Sequence, residues 1–273
     1  MTEKISRKNV PSMKKPCLHW VAVVAIGLGA SPLSHASDYT ADQLRELLAK
    51  ADSQKPVDLA GKDLSDLDLS NLDFKRANLS GANLFASRLV SSNLAGAKLG
   101  RANLNGAWLM GATFAGADLS GSSMLGLVIL GGQVPDRPNF AGANLSGVRM
   151  IADLPGVDLR GADLSRANLG VDIKNQGMGQ MRTDLSGAKL TGANLHDANL
   201  NRALMMFADL SGANLTGANL FRAKLSGADM TGADVAGADF TEADLDGTIL
   251  KNVKGIGAAV GMDKATNRDR AVY

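Results

Sequence analysis

Cysteine, histidine and aromatic side chains are all scarce in this chain. Cys17 is the one cysteine among 273 residues, His occurs three times, and aromatics make up 4%. A single thiol closes no disulfide within the chain, and no CxxC or paired-His spacing marks a zinc site. With so few aromatics, an ordinary aromatic-anchored core is not expected. No GxxxxGK[ST] phosphate loop is present, and the abundant Ser and Thr lie in no nucleophile motif. The apolar run WVAVVAIGLGA (20–30) is shorter than the about 20 residues that span a bilayer. These absences argue against an enzyme, and no catalytic, cofactor-binding or metal-ligating residue is assigned.

Glycine is not scarce: there are 31, and many recur in a short period. Residues 211–240 read SGANLTGANLFRAKLSGADMTGADVAGADF, with a large apolar residue at every fifth position: Leu215, Leu220, Leu225, Met230, Val235 and Phe240. Two residues before each sits an alanine. Five residues of α-helix advance about 140° beyond one turn, which would scatter these side chains around the cylinder. In a straight strand, successive large residues would point to opposite faces. A common interior is possible only if the chain turns a corner once per repeat, near the Gly-Ala or Arg-Ala steps (Gly212, Gly217, Arg222, Gly227), where glycine relaxes backbone sterics. The pattern predicts a solenoid whose stacked coils bury one apolar column.

The N-terminus obeys different rules. Residues 1–19 carry Lys4, Arg7, Lys8, Lys14 and Lys15 against Glu3; the apolar run follows, then SPLSHA. This is the layout of a secretory signal, with cleavage expected after Ala36. Cys17 precedes the apolar run, so no lipoprotein attachment site is indicated. Loss of residues 1–36 removes five of the 29 Lys and Arg and one of the 27 Asp and Glu, turning a formal +2 into −2. Cys17 and two of the three histidines leave as well, so His196 remains. A periplasmic or secreted location is expected, with no membrane-spanning segment after cleavage.

Residues 37–56 hold the one clear helix, TADQLRELLAKADS (40–53). Thr40 and Gln43 fit a capping box, and Leu44, Leu47, Leu48 and Ala51 recur on one face. A first coil has an open apolar end, so the helix is expected to cover it. The repeats occupy 57–252, with interruptions at 130–139 and 170–182, and number about thirty-six. Residues 253–273 leave the pattern and read as a tail. The units ANLSG (77–81), ADLSG (117–121), ADLSR (162–166) and ANLTG (213–217) resemble the pentapeptide-repeat family. That resemblance implies an all-β fold, a right-handed quadrilateral β-helix with four pentapeptides per coil, and so nine coils here, with an N-terminal capping α-helix.

Aspartate dominates the position before the inward leucine at both ends of the array, at Asp58, Asp63, Asp68 and Asp73 and again at Asp229, Asp234, Asp239 and Asp244. Asparagine dominates inner stretches. Stacked amides form ladders whereas stacked carboxylates repel, which suits Asp to end coils. Calcium binding is disfavoured because these carboxylates point to four different sides. His196, just after inward Leu195, reads as a solvated imidazole.

Two surface columns stand out. Steps of twenty residues align Arg182, Arg202 and Arg222, ending at Glu242, as solvated side chains or an anion-binding strip. Trp108 and Val128 follow Arg88 in another column, flanked by Val90, Met110 and Leu130. These apolar residues at outward positions read either as the floor under the 130–139 loop or as a contact surface for a partner or a second copy of the chain. Leu204, Met206 and Phe207 form a smaller cluster of the same kind, with loop 170–182 as its expected cover. The expected function is a non-enzymatic exported scaffold with an unidentified protein partner and no nucleic acid. The alternative is a DNA mimic that binds DNA gyrase, as the resemblance implies for quinolone-resistance relatives. The expected export, the weak net charge and the spread of Arg and Lys argue against that alternative.

Overall fold

The computed structural model describes residues 37–51, 55–129, 137–171 and 182–273. The expected signal (1–36), Leu130 and most of both interruptions lie outside the described residues. Each repeat turns a corner, as the five-residue period requires. Corner residues take positive φ, either as glycine or, less comfortably, as residues such as Arg202 (φ 59) and Arg222 (φ 57). Alanine and leucine of each unit point inward, and Leu195 and Leu215 are fully buried.

One unit shows how the backbone is satisfied. Ala193 N–H donates to Leu190 O across the corner (2.9 Å), Asn194 N–H to Ala162 O in the preceding coil (2.9 Å), and Leu195 N–H to Asn214 O in the following coil (2.6 Å). Asp197 N–H also reaches the following coil, at Thr216 O (2.9 Å). The fifth donor, His196 N–H, goes to the side-chain Oδ1 of Asn194 (3.2 Å). Thus the Asp or Asn before each leucine supplies the acceptor that the backbone lacks, as an Asx turn.

The residue before each leucine also bridges in parallel to its counterpart in the next coil, usually twenty residues on. These bridges define four faces, which begin at Asp58, Asp63, Asp68 and Asp73 and are numbered 1 to 4. Face 1 runs Asp58, Asn78, Lys98, Asp118, Asn144, Asp163, Asn194, Asn214, Asp234, Lys254, which makes ten coils. The nine expected are joined by a tenth, built from the supposed tail. Its bridge residues Lys254, Val260, Thr266 and Val272 are six apart, and short 3-10 turns at Ile256–Ala258 and Arg268–Arg270 fill the wider corners. Met262 is buried beneath the ninth coil, with Ile256 and Ala259 packed beside it. A Cβ on Gly255 would come 2.6 Å from Ala236 N, so only glycine lets this coil close up on its neighbour.

The opposite end is covered by α1 (Ala41–Ala49), whose capping box at Thr40 and Gln43 forms as expected. Leu44 is fully buried and Leu48 packs against the core, whereas Leu47 and Ala51 are exposed. The helix ends at Ala49, so its covering stripe is narrower than the sequence spacing implied. Asp38 completes the lid: its N–H donates to Asp63 O and its carboxylate accepts from Asp63 N–H, both at 2.8 Å. That occupies an edge amide that no earlier coil could satisfy.

The interruptions leave the core in register. Phe140 stacks beneath Phe114 across the first, with ring centroids 5.0 Å apart. The coil is one residue short between Arg149 and Asp153; there the chain runs straight as β2 (Arg149–Ile151), parallel to β1 (Ser123–Leu125). The first interruption leaves face 3 after Val128 and rejoins at Asn139. The second enters face 3 between Asn168 and Asp184. Both therefore open at the two corners that border one face.

Candidate interaction face

Face 3 departs furthest from the Asp and Asn preference of the bridge positions. Its bridge positions are Asp68, Arg88, Trp108, Val128, Asp153, Asp184, Leu204, Lys224, Asp244 and Thr266. None is Asn and only four are Asp, against eight, seven and six of ten Asp or Asn on faces 1, 2 and 4. At Arg88, Trp108, Val128, Leu204 and Lys224 the side chain offers no acceptor for the Asx turn. Local rules broken in one place mark sites kept for another purpose. The bordering corners carry Phe85, Leu125 and Ile151 on the entering side and Val90, Met110, Met206 and Phe207 on the leaving side.

In the N-terminal half, the Arg88 guanidinium lies over the Trp108 ring, 5.1 Å from its centroid, and its Nε is 4.0 Å from the Asp68 carboxylate. Hydrogen bonds from Ser70, with the charges of Arg88 and Arg45, hold Asp68 below the ordinary carboxylate range. Trp108, Met110 and Val128 are half-buried. A depression of about 420 Å³ follows, bounded by Leu127, Asp153, Asp184 and Leu204 and reached by Arg182.

In the C-terminal half, Arg182, Arg202, Arg222 and Lys224 line a second depression of about 430 Å³, closed by Glu242. Arg222 Nε donates to Glu242 Oε2 (2.7 Å) and its guanidinium lies over the Phe221 ring, 4.9 Å from the centroid. That hydrogen bond, with the charges of Arg222 and Arg202, lowers the Glu242 carboxyl. Lys224 donates to Asp244 at 3.2 Å. Across the face, Phe207 is 74% exposed with φ 58, a left-handed conformation that bulky residues rarely adopt. Its ring lies against Gly227, where a Cβ would come within 2.6 Å.

A family model for pentapeptide repeats matches the chain in eight copies, over residues 57–85, 87–124, 152–170, 183–220 and 218–254, more than half of its length. The chain is a pentapeptide repeat protein. Its fold is accordingly the right-handed quadrilateral β-helix. Among solved structures, this pentapeptide repeat protein is similar to HetL of the cyanobacterium Nostoc, which is involved in heterocyst differentiation regulation. That likeness has 29% identity, 86% of this chain and 94% of HetL covered, and a TM-score of 0.38. It is also similar to QnrB1, a plasmid-mediated fluoroquinolone resistance protein, at 18% identity over 72% of this chain and 84% of QnrB1, TM-score 0.30. A third likeness is to a pentapeptide repeat protein of the Arabidopsis thaliana thylakoid lumen, at 28% identity over 42% of this chain and 67% of that one, TM-score 0.24. No curated protein sequence matches.

The pentapeptide repeat fold brings together what the sequence presented as separate columns. Trp108 and Val128 lie on face 3, Met110 on the corner leaving it, and Arg182, Arg202 and Arg222 on the corner entering it. Leu130 falls outside the described residues. Phe85, Phe221, Leu125, Ile151 and Lys224 belong to the same side and were not singled out in the sequence. The two interruptions shift the twenty-residue step to 26 or 31 in places, which hides the alignment of Trp108 with Leu204 and Lys224. His196 is exposed on the corner after face 1, with Nδ1 2.8 Å from Thr216 Oγ1, away from this cluster. Among the described residues, no group of three or more His, Cys, Asp or Glu is placed to hold a metal ion, and no helix is long and apolar enough to cross a membrane.

Proposed function

We propose that this pentapeptide repeat protein is an exported, non-enzymatic β-helical scaffold that binds a protein partner through face 3. The observation that carries this reading is the clustering of Phe85, Trp108, Leu204, Phe207 and the Arg182, Arg202 and Arg222 column on one face and its corners. Asp or Asn holds eight, seven and six of the ten bridge positions on faces 1, 2 and 4, against four on face 3. Exposed apolar patches rimmed by charge are the usual signature of a contact surface, and aromatic and arginine side chains supply most of the binding energy in such contacts. Export is supported by the basic segment, apolar run and small residues of 1–36. The DNA-mimic reading is weaker, because a line of arginines on the candidate face opposes duplex-like charge.

The test is crosslinked affinity capture with the unaltered protein, Trp108→Ser, Leu204→Ser and the face 1 control Lys98→Ser. The two face 3 variants should lose a specific partner that the control retains, with unchanged melting. Identical capture by all four proteins would remove the reading. N-terminal sequencing of the mature protein checks export, with a start at Ser37 expected.

A further inference from the structure

The C-terminal half of face 3 has a chemistry of its own. Arg182, Arg202 and Arg222 occupy three successive coils on one corner and share a depression with Lys224. At the ~4.8 Å coil spacing this cationic strip is only about 10 Å long. It is bounded by carboxylates: Asp153 in the coil before it, Asp184 beside Arg182, and Glu242, Asp244 and Asp246 in the coil after it. The body around it carries a formal −2 over residues 37–273. Glu242 shows what the column accepts, because its carboxylate already sits on Arg222 Nε at 2.7 Å. On the same coil as Arg202, the face crosses within one repeat to Leu204, Met206 and the projecting Phe207 ring.

We infer that this half of face 3 binds a short acidic stretch of an extended peptide, two carboxylates on alternate residues followed by an apolar side chain. The inference rests on the reading of face 3 as a protein-binding surface and names the partner's chemistry. Alternate residues of an extended chain lie about 7 Å apart on one side, so two carboxylates fit the strip and a third would run into Glu242. The apolar neighbour packs on Phe207, whose strained backbone holds an aromatic ring in solvent. A long polyanion fits poorly, since it would meet the bounding aspartates on both sides at a cost in repulsion.

The probe is a fluorescein-labelled peptide with two glutamates separated by one serine and followed by a leucine, read by fluorescence anisotropy against the whole protein. Saturable binding that weakens with added salt is expected. Arg202→Glu and Arg182→Gln should each weaken it, Arg202→Glu by roughly tenfold or more. Phe207→Gly should weaken it severalfold, and the face 1 variant Lys98→Ser should leave it unchanged. Thermal melting of each variant separates lost binding from lost folding. The inference is overturned if the peptide does not bind, if its glutamine version binds equally well, or if Arg202→Glu and Arg182→Gln bind it like the unaltered protein. It is also overturned if single-stranded DNA or heparin binds the arginine column more tightly than the peptide. Failure of the peptide with face 3 variants still losing their partner removes this inference alone; unchanged partner capture removes the broader reading.

Discussion

The side chain before each inward leucine has two tasks: its Oδ1 accepts the amide two residues on, and an Asn there also donates to the preceding coil. Asn103 Nδ2 donates to Asn83 Oδ1 (2.9 Å), and Asn83 Nδ2 to Asp63 Oδ1 (3.1 Å). The first coil has no predecessor, so an acceptor-only side chain suffices there, which accounts for Asp58, Asp63, Asp68 and Asp73. Asn83→Asp would set carboxylate against carboxylate and should cost about 1–2 kcal/mol. Asp58→Asn should be near neutral, and paired melting curves check both. The preference for Asp and Asn was legible in the sequence, but the turn that demands it was not, because hydrogen-bond direction is invisible in composition. Repulsion alone did not account for Asp209 beside Asp229 either. Burial pushes Asp209 up, but donors from Ser211 and Thr191 outweigh it and hold the carboxyl below its usual range. Phe207→Gly should stabilise the fold by up to about 1 kcal/mol by relieving its left-handed backbone, a gain visible as a higher melting temperature.

At the scale of elements, the two ends differ in how openly the sequence announced them. Capping-box residues at fixed spacing advertised α1, and Thr40→Ala should cost about 1 kcal/mol. Leu44→Ala, which opens the lid over the first coil, should cost about 2–5 kcal/mol, and urea unfolding of both variants tests the order. The tenth coil escaped because its period is six: Ala259-Val260, Ala265-Thr266 and Ala271-Val272 repeat, but without an inward leucine. Its interior is filled by Met262 instead, with Ile256 packed against the core. Removing residues 254–273 should therefore bare the row of Val235, Phe240, Leu245 and Leu250, lowering the melting temperature and promoting aggregation, measurable by light scattering.

For the molecule as a whole, the repeat fixed the core, while the surface depended on register carried through two interruptions and one deletion. Twenty-residue steps alone cannot align Trp108 with Leu204, so the shared face emerged only in three dimensions. Its charge links also set an acid sensitivity. The Asp68, Glu242 and Asp244 carboxyls are depressed by their hydrogen bonds and cationic neighbours, so their stabilising contribution is complete above the ordinary carboxylate range near pH 4. It disappears as pH falls through their folded values, and the urea midpoint should be lower at about pH 3 than at pH 6. A stack whose every layer repeats the same bonding acts as a ruler. Splicing one more twenty-residue coil between the Trp108 half and the arginine half would part them by about 4.8 Å with all ladders restored. A partner that grips both halves would feel the added notch, and one that grips either alone would not.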